Sequence, residues 1–349
     1  MTLIFLLLLL LVLYFTFAHF YPVRGFKAKF SSFTPNTLPN LYLYSFEIHL
    51  HSQFSYDSLG KPEDITKTAI EEDIDYVIVT DHENDYIKHF TSDRIIAGVE
   101  RKITDEKGQI LGDLLVVEDI KVVAHPFKEK YRWKLELPED YLFELVDLKD
   151  ALLERKALLA LFLPYILLRG LFSINWALEP LKRLIDVEKY LQLYMKMGIK
   201  NPIVGGLDHH VKLYIREVGI RFLFPHYRHS FRLMRNFLIS DERVTEKKDF
   251  LRFLKKGNLL ISFSQKPTLY WKEEQRLKVL PPEDCLLLKL TQRGKECYTG
   301  SYFEVEPSAG INLFIGYTYK LRLGWFYLGL KPLFVFLWKE EHNGRDATA

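Results

Sequence analysis

The chain has 349 residues, which is enough for one large domain or two modest ones. Its formal net charge of +3 at pH 7 provides no general basic field of the kind that binds nucleic acid. Cys285 and Cys297 are too few for a disulfide framework and lack the spacing of a zinc-thiolate site. We interpret them as two reduced thiols, with a bridge between them as the alternative.

The first predicted element is an apolar helix. Residues 3–18 carry no charge, Gly or Pro, and the apolar stretch from Thr2 to Val23 has the roughly 20 residues that span a bilayer as a helix. We interpret residues 1–23 as an uncleaved membrane anchor, because nothing polar marks a solvent face of a core helix. A signal peptide cleaved near Thr16 and Ala18 is the alternative, although no Lys or Arg precedes the apolar stretch.

A polar segment that contains Pro, residues 24–40, follows and is predicted to be a linker. It begins with Arg24, Lys27 and Lys29, and basic residues after an anchor favour a cytoplasmic location for the rest of the chain. The opposite side of the membrane stays open.

Residues 41–257 alternate between strand and helix patterns, which indicates an α/β domain with a parallel sheet. Buried strands are expected from their apolar runs at 41–52, 75–81, 94–100, 113–119, 120–126 and 201–208. Helices are expected at 61–73, 139–155 and 180–198. The first of these begins with Pro62, Glu63 and Asp64, residues suited to a first helical turn.

Residues 157–172 are strongly apolar but contain Pro164, Arg169 and Gly170. As a helix this segment is about 24 Å long, which is short for a bilayer. We consider three alternatives: a kinked core helix or hairpin, a segment that lies on the membrane surface, and, third, a second membrane span.

From residue 258 to residue 349 the pattern changes to short apolar runs separated by Pro, Gly and charged pairs. This region is predicted to be a small antiparallel β domain, interpreted as a sandwich.

Metal-ligand residue types recur where predicted strands end. Seven short segments have this property: His49-Leu50-His51, Asp57, Asp81-His82, Glu100, Asp113, His125 and Asp208-His209-His210. Alternate residues of a strand share a face, so the first and last segments each direct two ligands to one side. Imidazole with carboxylate suits Zn²⁺, Mn²⁺ or Fe²⁺. Each segment alone also fits an ordinary strand end, but so many ionisable groups beside apolar strands would be costly without an ion to bind.

These segments resemble the motifs of the PHP (polymerase and histidinol phosphatase) domain. The matching motifs are HLHSQFSYDS (49–58), VTDHEN (79–84), GVE (98–100), AHP (124–126) and GLDHH (206–210), in the family's order. The resemblance implies a distorted (β/α)₇ barrel with two or three divalent ions, Mn²⁺, Zn²⁺, Fe²⁺ or Mg²⁺. The C-terminal GWFYLGLKPLFVF resembles the closing motif of CehA/McbA-like members.

The resemblance also implies the ligand set. His49 and His51 would bind one ion with Glu100 and Asp208, and Glu100 would bridge to a second ion held by His125. A third ion would be held by Asp57, His82 and His210.

Three further residues have different expected roles. Asp113 stands where members usually have a histidine, and it is predicted to be either a ligand that shifts the site toward Mn²⁺ or Mg²⁺ or a plain turn residue. Asp81 is expected to orient His82 or a neighbouring group, and with Glu100 and Asp208 it completes the predicted catalytic set. His209 occupies the variable position of its motif and is excluded.

The resemblance implies a phosphoesterase in which the ions generate hydroxide and neutralise phosphate oxygens. The expected substrates are a phosphorylated small molecule, a nucleotide or a 5′ nucleic-acid end, so 5′–3′ exonuclease activity is included, although no basic stripe interleaved with aromatics supports a long nucleic-acid footprint. An ester or carbamate hydrolase and a membrane-tethered binding module with a structural metal are the alternatives. Candidate phosphate clamps are Arg101, Lys128, Lys130 and Arg132, and no obligate protein partner is evident.

Overall fold

The computed structural model describes residues 2–31, 37–90, 92–217 and 220–340. Residues 32–36 of the predicted linker and 341–349 of the predicted C-terminal domain lie outside these ranges. Within them the helices are α1 (Thr2–Phe20), α2 (Pro62–Glu71), α3 (Leu148–Glu154), α4 (Lys156–Gly170), α5 (Ile174–Leu184), α6 (Val187–Met197), α7 (Tyr227–Leu233) and α8 (Lys247–Leu254), with a 3₁₀ turn at Tyr86–Phe90.

The strands alternate with these helices in the first two thirds of the chain and then follow one another. The first group is β1 (Val23–Gly25), β2 (Lys29–Phe30), β3 (Tyr42–Leu50), β4 (Tyr76–His82), β5 (Ile95–Thr104), β6 (Ile110–Val117), β7 (Ile120–Ala124), β8 (Leu142–Asp147), β9 (Ile203–Gly206), β10 (Leu213–Glu217), β11 (Ile220–Phe224) and β12 (Arg235–Ser240). The second group is β13 (Leu259–Ser262), β14 (Leu269–Glu273), β15 (Arg276–Leu280), β16 (Cys285–Thr291), β17 (Gly294–Gly300), β18 (Phe303–Val305), β19 (Gly310–Thr318), β20 (Leu321–Leu323), β21 (Phe326–Leu328) and β22 (Lys331–Glu340).

One large sheet organises the molecule, with the strand order β2-β17-β16-β19-β22-β13-β12-β3-β4-β5-β6-β7-β8-β9. Strands β3, β4 and β5 are parallel, as are β7, β8 and β9. The carboxyl ends of these parallel strands therefore lie at one edge of the sheet, where α/β proteins place their sites.

The prediction of a parallel sheet is wrong for the strands β5, β6 and β7. β5 and β6 pair antiparallel, and so do β6 and β7. The connections, residues 105–109 and 118–119, are too short for the crossover that a parallel pair needs, so hairpins form instead.

The predicted helix 139–155 is wrong in its first half, which forms the buried strand β8 between β7 and β9. Asp147 ends this strand and caps α3, since its Oδ1 accepts a hydrogen bond from Asp150 N at 2.7 Å. The predicted helix 180–198 is two helices, because Asp186 caps a new helix by accepting from Lys189 N.

The sheet is one open ladder, and the predicted closed barrel stays a prediction. Backbone hydrogen bonds nevertheless bring the segment after β9 against β3: Leu207 N donates to Ile48 O at 3.1 Å, and His51 N donates to His209 O at 3.0 Å. Strand β3 and the segment after β9 therefore meet at the edge that carries the site.

The C-terminal region is antiparallel β structure, as predicted. Its strands β13, β16, β19 and β22 extend the large sheet, and the small sheet β14-β15-β18 packs on them through a shared core that includes Tyr270 and Phe336. Cys285 and Cys297 lie on the neighbouring strands β16 and β17 as free thiols. The predicted linker contributes β1, which pairs with β21, and β2, which pairs with β17.

Candidate metal centre

The strand ends bring the predicted ligands together in one buried cluster. His49 and His51 lie at the end of β3, and His82 is the last residue of β4. The others lie on the neighbouring strands or directly after them: Glu100 on β5, His125 after β7, Asp208 and His210 after β9, and Asp57 in the loop after β3. Neighbouring strands thus place ligands that are far apart in sequence at one sheet edge.

Three of these residues have a backbone that L-amino acids rarely adopt. The φ angles of His49, His125 and Asp208 are 62°, 49° and 42°. The register of β3 against β4 shifts between Ile48 and Leu50, so a bulge and a left-handed residue aim His49, and simple strand alternation does not describe it. Strained residues of this kind cluster at functional sites, where the surrounding structure holds them in place.

Glu100 is the centre of the cluster. Its Oε2 lies 3.4 Å from His49 Nε2, 3.2 Å from His51 Nε2 and 3.1 Å from His82 Nδ1. Its Oε1 lies 3.5 Å from His125 Nε2. One carboxylate therefore lies within 3.5 Å of ring nitrogens of four histidines.

Asp208 is a second shared carboxylate. Its Oδ1 lies 3.5 Å from His51 Nε2 and 3.2 Å from His210 Nδ1. Its Oδ2 accepts a hydrogen bond from Lys149 Nζ at 2.7 Å. Asp208 thus lies beside ring nitrogens of two histidines of the cluster and accepts a hydrogen bond from a lysine next to it.

Asp57 and His82 are the most exposed members of the cluster, and the buried His210 lies beside them. Asp57 Oδ1 lies 3.6 Å from His82 Nε2, and Asp57 Oδ2 lies 3.0 Å from His210 Nε2. The ring of His51 lies between the two histidines, stacked at 4.4 Å on His82 and at 4.1 Å on His210. These residues are those predicted to hold a third ion.

Unpaired polar atoms in this cluster fit divalent ions. Buried atoms that lack a hydrogen-bond partner among the described residues include His49 Nε2, His51 Nε2, His210 Nε2, Glu100 Oε2 and Asp57 Oδ1. Ligand atoms within 4.8 Å of one another define several groups, among them His49-His51-Glu100, His49-His125-Asp208 and His51-His82-His210. Buried polar atoms are normally satisfied, so these converging unpaired nitrogen and oxygen atoms have the donor chemistry that could hold a divalent cation.

The electrostatics of the cluster lead to the same conclusion. Burial opposes a charge on His49, but Glu144 and Glu100 outweigh it and raise the pKa of His49 well above its ordinary value. Burial likewise opposes the Glu100 carboxylate, yet His49 and His125 hold its pKa well below the usual range. Protons on the imidazoles thus balance the carboxylates, and bound cations would take the place of those protons.

Three carboxylates that the sequence reasoning missed support the histidines from behind. Glu144 Oε1 lies 2.6 Å from His49 Nδ1, and Glu144 Oε2 accepts from His125 N at 2.7 Å. Asp150 and Asp147 lie 2.8 and 3.1 Å from His125 Nδ1. These contacts direct each Nε2 toward the cluster. The acidic residues on and after β8 could have indicated this role, but the sequence analysis predicts a helix over 139–155 and therefore no strand end there.

Asp81 and His209 point away from the cluster. The Asp81 carboxylate accepts from Ser52 N, Ser52 Oγ and Ser55 Oγ at 2.7, 2.7 and 3.0 Å. Ser55 Oγ in turn lies 3.0 Å from His51 Nδ1, so Asp81 orients that ligand through a serine. His209 Nδ1 lies 2.6 Å from Ser230 Oγ.

A cavity of about 120 Å³ opens onto the cluster. Asp113 lines it with an unpaired Oδ1, and burial and the nearby Glu100 raise the pKa of Asp113 to about 6. Three lysines line it as well: Lys102, Lys128 and Lys149. Lys128 was one of the predicted phosphate clamps, whereas Arg101, Lys130 and Arg132 are exposed and do not line the cavity.

The sequence profile of the PHP domain family matches residues 47–223, slightly more than half of the chain. Among curated proteins no sequence matches this chain. Among solved structures, it resembles the crystal structure of a two-domain protein containing a predicted PHP-like metal-dependent phosphoesterase from Bacteroides vulgatus, at 12% identity and a TM-score of 0.37. That likeness covers 88% of this chain and 100% of the other.

Proposed function

Because this chain belongs to the PHP domain family, we propose that it is a metal-dependent hydrolase of phosphate esters, and that the cluster around Glu100 is its active site. The observation that carries the proposal is the convergence of unpaired buried nitrogen and oxygen atoms on one point beside a cavity. A structural ion needs about four ligands, and this cluster offers more, from residues that share Glu100 and Asp208.

The proposed ligands are those predicted from the sequence: His49, His51, Asp57, His82, Glu100, Asp113, His125, Asp208 and His210. When bound, two or three divalent ions lower the pKa of a coordinated water and neutralise phosphate oxygens. The mixed imidazole and carboxylate donors suit Mn²⁺, Zn²⁺ or Fe²⁺, and Asp113 adds a harder oxygen donor that would favour Mn²⁺ or Mg²⁺.

The protein's own residues would bind the phosphate and hold the ligands. Lys102 Nζ has no carboxylate partner among the described residues and lies 5.8 Å from the ring centroid of Tyr131. Lys149 is held against Asp208, and Lys128 against Asp150 at 2.6 Å. We propose that Lys102 binds the anionic substrate directly, while the other two lysines balance the carboxylates around the cluster.

The lysines of the cavity favour an anionic ester over the neutral ester or carbamate of the alternative hydrolase. The cavity of about 120 Å³ has room for a phosphate group, so we place a small phosphorylated molecule first and a nucleotide second. A 5′ nucleic-acid end with 5′–3′ exonuclease activity therefore ranks behind these substrates. We retain the closed (β/α)₇ barrel, the CehA/McbA-like branch and the domain limits 41–257 and 258–349 as proposals of the same kind.

The test is metal analysis and turnover of the purified full-length protein in detergent. We expect two or three divalent ions per chain, and hydrolysis of a phosphate ester in a panel of monoesters, diesters, nucleotides and carboxylic esters with Mn²⁺, Zn²⁺ or Mg²⁺. The matched variants are His49→Gln, in the cluster, and His226→Gln, whose ring lies outside it.

The first variant should lose turnover and at least one bound ion per chain, and the second should keep its turnover and its ions. Turnover of carboxylic esters alone would replace the proposal by the ester hydrolase. Bound metal without turnover of any ester would instead support the binding module.

A further inference from the structure

The end of the N-terminal helix is built into the fold. Ala18 is fully buried, and the guanidinium of the buried Arg183 donates to His19 O at 2.7 Å and to Ala18 O at 3.4 Å. Gly329 N donates to Phe20 O at 2.6 Å. The last carbonyls of α1 are therefore satisfied by residues far away in sequence.

Helix α1 contacts α4 through its C-terminal turns. Tyr14 OH donates to Leu161 O at 2.8 Å, and seven residues later the ring of Tyr21 packs on Phe162 at 5.5 Å. Between them, Phe17 also packs on Phe162, at 6.1 Å. Two turns at the end of α1 thus contact little more than one turn of α4, so the contact between the two helices is short.

The remainder of both helices exposes large apolar side chains. Residues 3–13 of α1 are all exposed. On α4, α5 and the turn between them, the exposed apolar residues include Leu163, Leu167, Leu171, Phe172 and Trp176. Leu171 is 81% exposed and Phe172 is 72% exposed, so this surface has no cover within the described chain.

A β-hairpin beside the end of α1 also exposes large apolar side chains. Strand β21 of this hairpin pairs with β1, which directly follows α1. Its tip exposes Leu323, Trp325 and Phe326, and Lys27 Nζ lies 4.8 Å from the Trp325 ring centroid. We name these tip residues, the exposed residues of α4 and α5, and α1 residues 3–13 the apolar patch.

We propose that α1 is retained in the mature protein and that the apolar patch docks into a phospholipid bilayer, with α1 crossing it and α4 lying along its surface. This goes beyond the hydrolase activity, because it concerns a second surface. A helix that is apolar all around and exposed is stable in hydrocarbon and costly in water.

Features of the patch fit a bilayer better than a protein partner. Trp176 and Trp325 are amphipathic rings of the kind that settle at the headgroup level. Arg169 lies between the Tyr165 and Trp176 rings, 5.5 and 5.8 Å from their centroids, and can reach anionic headgroups from there. With its 15 residues α4 is too short to span, so its place is the surface.

Retention of α1 follows from the contacts of its end. Cleavage after Ala18 would remove Tyr14 and Phe17 from α4 and one acceptor from Arg183. The rings of Phe162 and Tyr165 and the guanidinium would then face solvent or a void. We therefore expect the intact mass of the full-length protein, purified from membranes, to include the residues before Tyr14. A mature chain that begins after Ala18 would overturn the proposal.

A fluorescent reporter tests docking of the patch itself. An environment-sensitive NBD probe is attached at Leu171→Cys in full-length protein with Cys297→Ala, because Cys285 is buried and does not label. The protein is reconstituted in vesicles of phosphatidylcholine and phosphatidylglycerol. We expect a blue shift, strong quenching by dibrominated phosphatidylcholine and little quenching by aqueous iodide.

The matched control is a probe at Ile70→Cys on α2, an exposed apolar position outside the patch. It should be quenched by iodide and not by the brominated lipid. Iodide quenching at position 171 would show that the patch faces water. Protection from both quenchers would show that protein, a partner or a second copy, covers it, and either result would overturn bilayer docking.

Discussion

The two halves of the metal cluster differ in how firmly the protein holds them. The inner half, His49 and His125, is buried, with side chains 0% and 5% exposed. Each of these rings has a carboxylate within 2.8 Å of Nδ1. The outer half consists of Asp57, His82 and His210. Its Asp57 and His82 side chains are 30% and 21% exposed, whereas that of His210 is 3% exposed.

The charges differ in the same way. Neighbouring carboxylates overcome burial and raise the pKa of both inner histidines well above the ordinary value. In the outer half, burial and the nearby His51 and His210 outweigh Glu100 and lower the pKa of His82 to about 4. The inner half is therefore a rigid site with oriented nitrogens, and the outer half is an open site of neutral imidazoles. We expect the inner ion to be held tightly and the outer ion to exchange.

Glu100→Gln should have the largest effect, because Glu100 belongs to both halves. Replacing one charged oxygen by an amide weakens the contacts with four histidines at once. We expect kcat/KM to fall at least about 1000-fold, or about 4 kcal/mol of transition-state stabilisation.

Turnover assays measure the fall in kcat/KM, and metal analysis of the same protein preparation measures the bound ions. Glu106→Gln, in the exposed β5–β6 turn, is the matched control and should be unchanged. Unchanged turnover of the Glu100 variant would remove Glu100 from the site.

Glu144→Gln should affect the inner half alone. The Glu144 carboxylate does not line the cavity beside the cluster, but it contacts His49 Nδ1 and accepts from His125 N. Loss of such a partner weakens metal binding about 10- to 100-fold. Competition with a chelator measures the affinity, and excess metal should restore much of the turnover. The matched control is Glu154→Gln, which pairs with Lys189 on the surface. Equal affinity in both variants would show that the inner half does not depend on this carboxylate.

The sequence predicts the residues of the cluster better than it predicts the carboxylates that hold the histidines in place. His49, Glu100 and Asp208 follow apolar strand patterns, and parallel strand ends meet at one edge whatever the details of the loops. Glu144 and Asp147 could not be found in this way, because the short run LFELVD fits a strand or a helix equally well. This segment forms a strand because it pairs with β7 and β9, which the local sequence does not show.

The same difference is found in the fold, where the sequence predicts single elements better than it predicts how they pair. The local patterns predict α2 and β4 almost to the residue, because Pro62 starts the helix and YVIVTD is a continuous apolar run. The antiparallel order of β5, β6 and β7 depends on connection length and partner choice, and the bulge at His49 depends on contacts across the sheet. These features depend on tertiary contacts, which the periodicity of the sequence does not predict.

Asp57→Asn tests the outer half. It removes charge from the ligand between His82 and His210, while the inner half keeps its carboxylates. We expect one ion per chain to be lost at limiting metal and kcat to fall about tenfold, or about 1.4 kcal/mol. Raising the metal concentration should restore turnover more completely than in the Glu100 variant. Asp105→Asn, at the exposed β5–β6 turn, is the control. Loss of all bound ions would contradict the separation into two halves.

Lys102→Met should have the smallest effect, and it tests whether substrate approaches from the open side. Lys102 lines the cavity together with Asp57 and His82, and among the described residues no carboxylate neutralises its ammonium group. A half-solvated contact with phosphate contributes about 1 kcal/mol, so we expect KM to rise about fivefold with kcat and bound metal unchanged. Added salt should reduce the difference from the native protein, because it screens the charge. Lys107→Met, in the exposed β5–β6 turn, should leave KM unchanged. A fall in kcat without a change in KM would instead place Lys102 among the groups that act on the transition state.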